Sequence, residues 1–527
     1  MADWIRSRIQ RPAWEATAFF LLALIAGFLI QFATPNLPDG DAFYHMGHAA
    51  AYVENGPFLS SFTWLTLSEI GRLGGDLWYG FHILLAPFVV LGDPVAGMRA
   101  AGAVMLAIML LGIHLALRGA DWRLRWLIPI VVLASSASEL MRWIALRPQL
   151  PSLGFAALLL WILCTQRRPL WQVALLAAAI AWMHLAFFWL PFAVVVAAGL
   201  AKALALRRAD EGVFPFWQAG LAVIGGILAG AMLRPVPLAT LNLLKIQLFD
   251  LGEALRNEVP LGYGEELEPI SSDLLRDEYA IFLAIWLLAL AATLVLAWRR
   301  RLPDDPVHRR LVIGSFLMSL AGYMLAVRLT SRGLDIWVVF GAIFAAYAFS
   351  PLLGMAGSSR VNKLVTAGAA MLAFVAWSSY SGAQLALRYV GLPPRQFEKA
   401  MAWLLANSPR GSVIATPSWS SFGPMFIWSR HNRHLAGMDP IFQYVRDPRR
   451  YWIANALAVA EGSRTINVAL TGEPAVWKDT AAAIKEDLAA AWLVVVAENT
   501  PKLFRLCESD PRFRRVFVDG TVVIYAL

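Results

Sequence analysis

The stretch Pro38-Asp39-Gly40-Asp41-Ala42-Phe43-Tyr44-His45-Met46-Gly47-His48 sets two carboxylates and two imidazoles within a few residues of one another. Asp41 and His45 are four apart, as are Tyr44 and His48, so in a helix each pair shares a face. That pattern suits a general base, a metal-ligand set of Asp39, Asp41 and His45 for Mg or Mn, or both. An aspartate N-cap followed by an interfacial amphipathic helix accounts for the same residues.

Other groups are cationic. Glu139 to Gln149 carries Arg142 and Arg147, and Arg328 to Asp335 carries Arg328 and Arg332. Guanidinium forks of this kind bind phosphate or another anionic head group, whereas internal Glu139–Arg142 and Arg332–Asp335 pairs would leave them structural. Residues 253–277 hold Arg256, Glu258, Glu265, Glu266, Glu268 and Asp273, with Gly262 and Gly264. They read either as a mobile loop that closes on a substrate or as a solvated acidic loop. His184, among Trp182, Phe187 and Phe188, reads as part of an aromatic belt. No Walker loop, dinucleotide fingerprint, zinc cysteine set or nucleophile elbow occurs, which argues against nucleotide-driven transport and covalent serine or cysteine catalysis.

The elements that must carry these residues are apolar helices. The 527 residues are 59% hydrophobic and 15% charged, against about a quarter charged in soluble domains. The formal charge of +9 comes from short basic clusters between apolar runs, the pattern that orients membrane proteins and not one that marks nucleic-acid binding. Spans are expected at 14–33, 95–117, 126–138, 150–165, 172–189, 190–206, 217–233, 280–298, 311–327, 333–350 and 364–386, about eleven in all. With a cytoplasmic N-terminus, the clusters Arg118/Arg123/Arg125, Arg167/Arg168, Lys202/Arg207/Arg208, Arg299 to Arg310 and Arg360/Lys363 all fall inside. Residues 34–94 and 234–279 are then outside loops of a membrane domain 1–387, and 388–527 form an outside α/β domain with strands at Ser412–Thr416, Trp492–Ala497 and Gly520–Tyr525. The first run reads as a retained signal anchor, since Pro35 and Pro38 follow it in place of a cleavage site. Cys164 and Cys507 fall on opposite sides and cannot pair. The expected class is mainly α, multi-pass, in a prokaryotic inner or plasma membrane. A lipid or glycan transporter or flippase would need ionisable residues near mid-span, and the predicted spans are nearly free of them.

An Asp-bearing motif after the first span, an interfacial segment, a many-helix body and a C-terminal outside domain resemble the GT-C glycosyltransferases. Within them the stretch Gly40 to His45 is most similar to the first-loop acidic motif of the oligosaccharyltransferase catalytic subunits. Tyr52-Val53-Glu54-Asn55-Gly56 and Asp76-Leu77-Trp78-Tyr79-Gly80 continue the likeness. The resemblance implies transfer of a sugar from a polyprenyl-phosphate or pyrophosphate donor, with inversion, to a protein, lipid or polysaccharide acceptor on the outer face. Asp41 would be the catalytic carboxylate, Arg332 the arginine against the lipid phosphate with Arg328, Arg147 or Arg142 assisting, and Glu258 the glutamate of the flexible outer loop. Trp419-Ser420-Ser421-Phe422-Gly423 stands where the family carries Trp-Trp-Asp-Tyr-Gly, with Ser421 in the place of the aspartate. Arg147-Pro148-Gln149 stands where an acidic pair helps bind a metal. Protein N-glycosylation is the alternative reaction within the same family.

Overall fold

A computed structural model describes residues 2–165, 170–205, 216–262, 264–355, 358–435, 437–459, 465–468 and 476–527. The expected inside residues Arg167/Arg168 and Arg207/Arg208 lie outside them. The chain forms two compact units from interleaved segments: Met1–Pro38, Arg99–Met232 and Gly264–Gly391 in the first, and Asp39–Met98, Leu233–Tyr263 and Leu392–Leu527 in the second.

Most apolar runs read from the sequence lie on a single helix, and those at 126–138 and 172–189 are each divided between two or more. Among the described residues, seven helices are long and apolar enough to cross a membrane, or up to nine if each of two bent pairs counts as one span. Gln149–Thr165 and Leu170–Met183 are apolar but have 17 and 14 residues. At about 1.5 Å per residue they reach roughly 25 and 21 Å, short of a hydrocarbon core of about 30 Å. The helix Ala2–Ala33 turns Leu21, Leu22, Ile25 and Leu29 outward, each at least half exposed, as a lipid-facing surface requires.

Three features of the first unit position charged side chains. The sequence places a third span at 126–138; the structure instead has Trp122–Leu133 followed by a 94° bend and the helix Ala137–Ile144. Ser136 caps that second helix, its side chain accepting from the Glu139 N–H at 2.9 Å. Next, Pro306–Arg328 and Gly333–Met355 form an antiparallel hairpin. A Cβ at Gly322 would sit 2.5 Å from the Trp337 amide nitrogen, and one at Gly333 2.4 Å from the Gly322 carbonyl. Small residues thus let the two backbones touch and fix the intervening turn at Leu329–Arg332. Lastly, the segment before Ser272 is tied to that turn: the Ser331 N–H donates to the Glu268 carbonyl at 2.7 Å and the Ile270 N–H to the Ala326 carbonyl at 2.9 Å.

The second unit contains the helices Asp41–Asn55, Glu69–Leu73 and Tyr79–Val89, the segment Pro237–Arg256 and the C-terminal α/β part. Its strands are β1 (Val413–Ala415), β2 (Arg433–His434), β3 (Thr465–Val468), β4 (Val476–Asp479), β5 (Trp492–Val496), β6 (Arg514–Asp519) and β7 (Val522–Ala526). The main sheet runs β2-β1-β5-β7-β6, parallel across β2, β1 and β5 and antiparallel from β5 to β6. β1, β5 and β7 are the strands legible in the sequence; β2 and β6 complete the sheet, and β3 and β4 pair separately. Ile414, Val494 and Ile524 pack under it against Phe397, Met401, Leu404 and Met425. Leu65 forms a parallel bridge with His434, so the chain after the helix Asp41–Asn55 joins the edge of this sheet.

Candidate active site

In the second unit, Asp41 is the first residue of the helix Asp41–Asn55. The expected aspartate N-cap is not formed: Gly40 occupies the cap position without a side-chain bond, and Asp39, one residue earlier, accepts at Oδ1 from the Asp41 N–H at 3.1 Å. The helix is buried from Ala42 to Tyr52, because the second unit closes around it. A Cβ at Gly47 would fall 2.6 Å from the Phe426 ring, and one at Gly423 would fall 2.6 Å from the Gly40 carbonyl. The Trp419–Gly423 stretch, 382 residues distant in sequence at Phe422 from Gly40, is therefore seated directly on the Asp39–Asp41 turn.

Below Asp41 a polar chain runs through the buried interior. His45 Nδ1 lies 2.8 Å from His82 Nε2, and His82 Nδ1 lies 2.7 Å from Asp76 Oδ2. A carboxylate only accepts, so His82 donates from Nδ1, and in its neutral form accepts from His45 at Nε2. Tyr52 also donates to Asp76 Oδ2 at 3.0 Å, and the Trp78 N–H to Oδ1 at 2.9 Å. Arg234 Nη1 holds the Asp76 carbonyl at 2.7 Å. Burial pushes the Asp76 carboxyl up, but His82 and His48 beside it, with the bonds from His82 and Trp78, hold it well below the usual range.

His48 lies one turn further. Its Nδ1 is 2.9 Å from Tyr44 Oη, and its Nε2, buried and without a hydrogen-bond partner, is 3.9 Å from Asp76 Oδ2. Burial, reinforced by His82, lowers its pKa to about 3, so the ring is neutral. Among the described residues, His48, Asp76 and His82 form a group able to hold a metal ion, with their ligand atoms within 4.8 Å of one another. The outer polar atom of each is held by another group: His48 Nδ1 by Tyr44, His82 Nε2 by His45, Asp76 Oδ1 by Trp78. That outer support and the orphaned His48 nitrogen fit a dication, for which His82 would take its other tautomer, Nδ1 unprotonated and Nε2–H donating to His45. Two imidazoles and one carboxylate favour a zinc-class ion over Mg. Asp39 and Asp41 are outside this group, and His45 joins it through His82.

The Tyr44 hydroxyl marks one more acid. Burial raises its pKa well above the ordinary value, and Asp76, Asp41 and Asp439 raise it further. Asp439 accepts from Gln247 Nε2 at 3.3 Å and follows Met438, held at φ +64°. A non-glycine residue in that region costs about 1 kcal/mol or more, and such strain gathers at functional positions. Glu258 has the same property: it is exposed, at φ +51°, in the turn after Leu251–Arg256. Trp419 is partly exposed beside Thr416, Pro417 and Leu435.

The first unit gathers the arginines. Arg142 is bidentate to Asp335, Nε to Oδ1 at 2.7 Å and Nη2 to Oδ2 at 2.9 Å. Glu266 Oε2 accepts from Arg147 Nη1 at 2.6 Å, Glu266 Oε1 accepts from Arg332 Nη2, and Arg142 Nη1 is 3.6 Å from Oε2. Of the local pairs allowed by the sequence, Arg332–Asp335 gives way to a distant one and Glu139–Arg142 persists only at 4.0 Å. Asp335 takes Arg142 across 193 residues in place of Arg332, and Glu139, 4.0 Å from Arg142, instead accepts from Tyr279 at 2.8 Å. Burial raises the Glu266 pKa, but Arg147, Arg332 and Arg142 outweigh it and hold the carboxyl well below the usual range. Arg328 is exposed, at the end of the helix Pro306–Arg328. His184 is buried and stacks on Phe187 at 4.3 Å.

Sequence reasoning missed His82, Asp439, Glu266 and Asp335 as members of these groups. Asp76 stood in a quoted motif without a role, and His48 stood four residues from its partner Tyr44.

No protein-family model matches the chain, and no curated protein matches it. Solved structures do. ArnT from Cupriavidus metallidurans bound to undecaprenyl phosphate superposes with a TM-score of 0.58 at 11% identity, over 98% of both chains. Its apo state gives 0.57 at 11% identity, again over 98% of both. The arabinofuranosyltransferase AftD from Mycobacteria gives 0.54 at 15% identity over 97% of this chain, which spans 40% of that longer one. Both proteins are GT-C membrane glycosyltransferases. Side chains have diverged almost completely at such identities while the path of the backbone has not, and the chain is an integral membrane protein with the GT-C glycosyltransferase fold.

Proposed function

We propose that the protein is an inverting membrane glycosyltransferase that moves a sugar or glycan from a polyprenyl-phosphate or pyrophosphate donor to a protein, lipid or polysaccharide acceptor. The observation that carries this reading is a cluster of three arginines around one carboxylate, in a chain whose fold matches ArnT bound to undecaprenyl phosphate over nearly its whole length. In this reading the bond between the sugar's anomeric carbon and the phosphate oxygen breaks as the acceptor oxygen or nitrogen attacks from the opposite face. Asp41 takes the acceptor's proton or orients its lone pair. Arg332 and Arg147, with Arg142, meet the charge that grows on the departing phosphate, a stabilisation of about 3 kcal/mol per well-placed donor. Arg328 is proposed to meet the lipid head group, and Trp419 and Glu258 to contact the acceptor.

The residues proposed to hold a dication are His48, Asp76 and His82, where it would supply a fixed positive charge. Independently of it, Asp76 and His82 hold the His45 ring one turn below Asp41. The N-terminus is proposed to be cytoplasmic and residues 388–527 extracytoplasmic, from the distribution of arginine and lysine between spans.

The test is the glycan and glycolipid profile of cells lacking the gene, complemented with wild type or with Asp41→Asn. The expected result is loss of one glycoconjugate, restored by wild type and not by a stably expressed Asp41→Asn protein. Full rescue by Asp41→Asn would remove Asp41 from catalysis, and an unchanged profile in the deletion strain would remove the transferase reading.

A further inference from the structure

Glu266 and Asp335 both face the arginine cluster, but they are held differently. Asp335 is 2% exposed and bidentate to Arg142, a fixed part of the hairpin. The Glu266 side chain is 19% exposed, and its two oxygens are divided between Arg147 and Arg332. A pair of oxygens shared between two planar guanidinium forks is also how arginines grip a phosphate. The Glu266 backbone, by contrast, is pinned: its carbonyl accepts from Thr330 Oγ1 at 2.6 Å and Ser331 Oγ at 3.2 Å. The loop is therefore anchored, while the carboxylate it delivers turns on its own side-chain bonds.

We propose that the Glu266 carboxylate is the resting occupant of a phosphate subsite made by Arg147, Arg332 and Arg142, and that the phosphate group of a polyprenyl phosphate takes its place. The inference rests on the donor reading above and adds to it a residue that sets the affinity of the subsite. Asp335 stays on Arg142 throughout, and exchange of one anion for another keeps a negative charge between the Arg147 and Arg332 guanidinium groups, whose repulsion is strongest in partly buried surroundings. The backbone of the loop stays in place; the side chain swings out. Because Glu266 competes with the ligand, the apparent affinity for phosphate is the intrinsic affinity reduced by the fraction of time the arginines are vacated.

The experiment uses the full chain in lipid nanodiscs, with undecaprenyl phosphate and inorganic phosphate as probes. Glu266→Gln keeps the shape and removes the charge. It is expected to lower Kd for undecaprenyl phosphate about tenfold, the effect of a subsite vacated about a tenth of the time. Its melting midpoint without ligand should lie below wild type and rise further on lipid addition. Tightening in both probe arms assigns recognition to the phosphate group alone, and tightening in the lipid arm alone adds the tail as a requirement; either supports the exchange. If Glu266→Gln weakens lipid binding as Arg332→Ala does, Glu266 positions the arginines and the exchange is overturned. Unchanged affinity overturns it too. Should Arg147→Ala and Arg332→Ala both bind undecaprenyl phosphate like wild type, the donor reading fails as well. If Glu266→Gln does not fold, Glu266→Asp, whose shorter side chain loosens its grip on the two guanidinium groups, is expected to act in the same direction.

Discussion

A neutral histidine has one donor and one acceptor nitrogen, and at His48 the Nε2 has no hydrogen-bond partner. With the proton on Nδ1 and donated to Tyr44, Nε2 presents a lone pair toward Asp76, 3.9 Å away. A buried polar atom left unmade costs about 1–3 kcal/mol, which a bound ion would relieve. The expected outcome is about one zinc-class ion per chain in protein purified without chelator, measured by elemental analysis, and its loss in His48→Gln. A wild-type protein that holds no ion after zinc addition would leave the group as a hydrogen-bonded chain from Asp76 through His82 to His45. The sequence offered His48 through its spacing to Tyr44; His82 and Asp76 come from a different helix and loop, and no spacing rule links them.

At the scale of elements, the arginine cluster depends on how a bent helix meets a hairpin turn. The bend after Leu133 sets Arg142 against Asp335 at the start of Gly333–Met355. Removing one member of a buried pair costs up to about 3–5 kcal/mol, here lessened by Glu266 at 3.6 Å and Glu139 at 4.0 Å from Arg142, whereas replacing both with apolar residues is often neutral. Asp335→Asn is therefore expected to lower the denaturation midpoint in detergent markedly, and the double change Arg142→Met/Asp335→Leu to recover most of it. A double variant as unstable as the single one would show that the pair organises the elements in a way that packing does not replace. The sequence allowed Arg142 a partner one turn away at Glu139 and allowed Arg332 a partner three residues on at Asp335. The structure keeps the first only at 4.0 Å and replaces the second, because the capped helix directs Glu139 toward Tyr279 and the hairpin presents Asp335 to Arg142.

For the whole molecule, the alternation of basic clusters makes a claim about sidedness. Asp304 is exposed in the loop between Ser272–Trp298 and Pro306–Arg328, and Asn499 is exposed in the C-terminal part. In a background without native cysteines, Asn499→Cys is expected to react with a membrane-impermeant maleimide on intact spheroplasts, and Asp304→Cys only after permeabilisation. Labelling of both on the intact cell surface, or the reverse pattern, would overturn the proposed orientation. Cys164 and Cys507 are both buried and unbonded.

The membrane class, the positions of most helices and the helix start at Asp41 were determined by the sequence itself, because apolar run length and helix-breaking prolines act locally. The GT-C fold was legible through the order of its parts and the motif around Asp41. β1, β5 and β7 were also readable, since buried strands are continuous apolar runs between turn residues. Tertiary structure decided the rest. The seating of Trp419–Gly423 on Gly40, the chain from Asp76 to His45 and the capture of Glu266 by Arg147 and Arg332 each join segments far apart in sequence. A charged side chain on a helix or turn has several partners within reach, and selection among them follows from how the backbones pack, a long-range property that no spacing along the chain encodes.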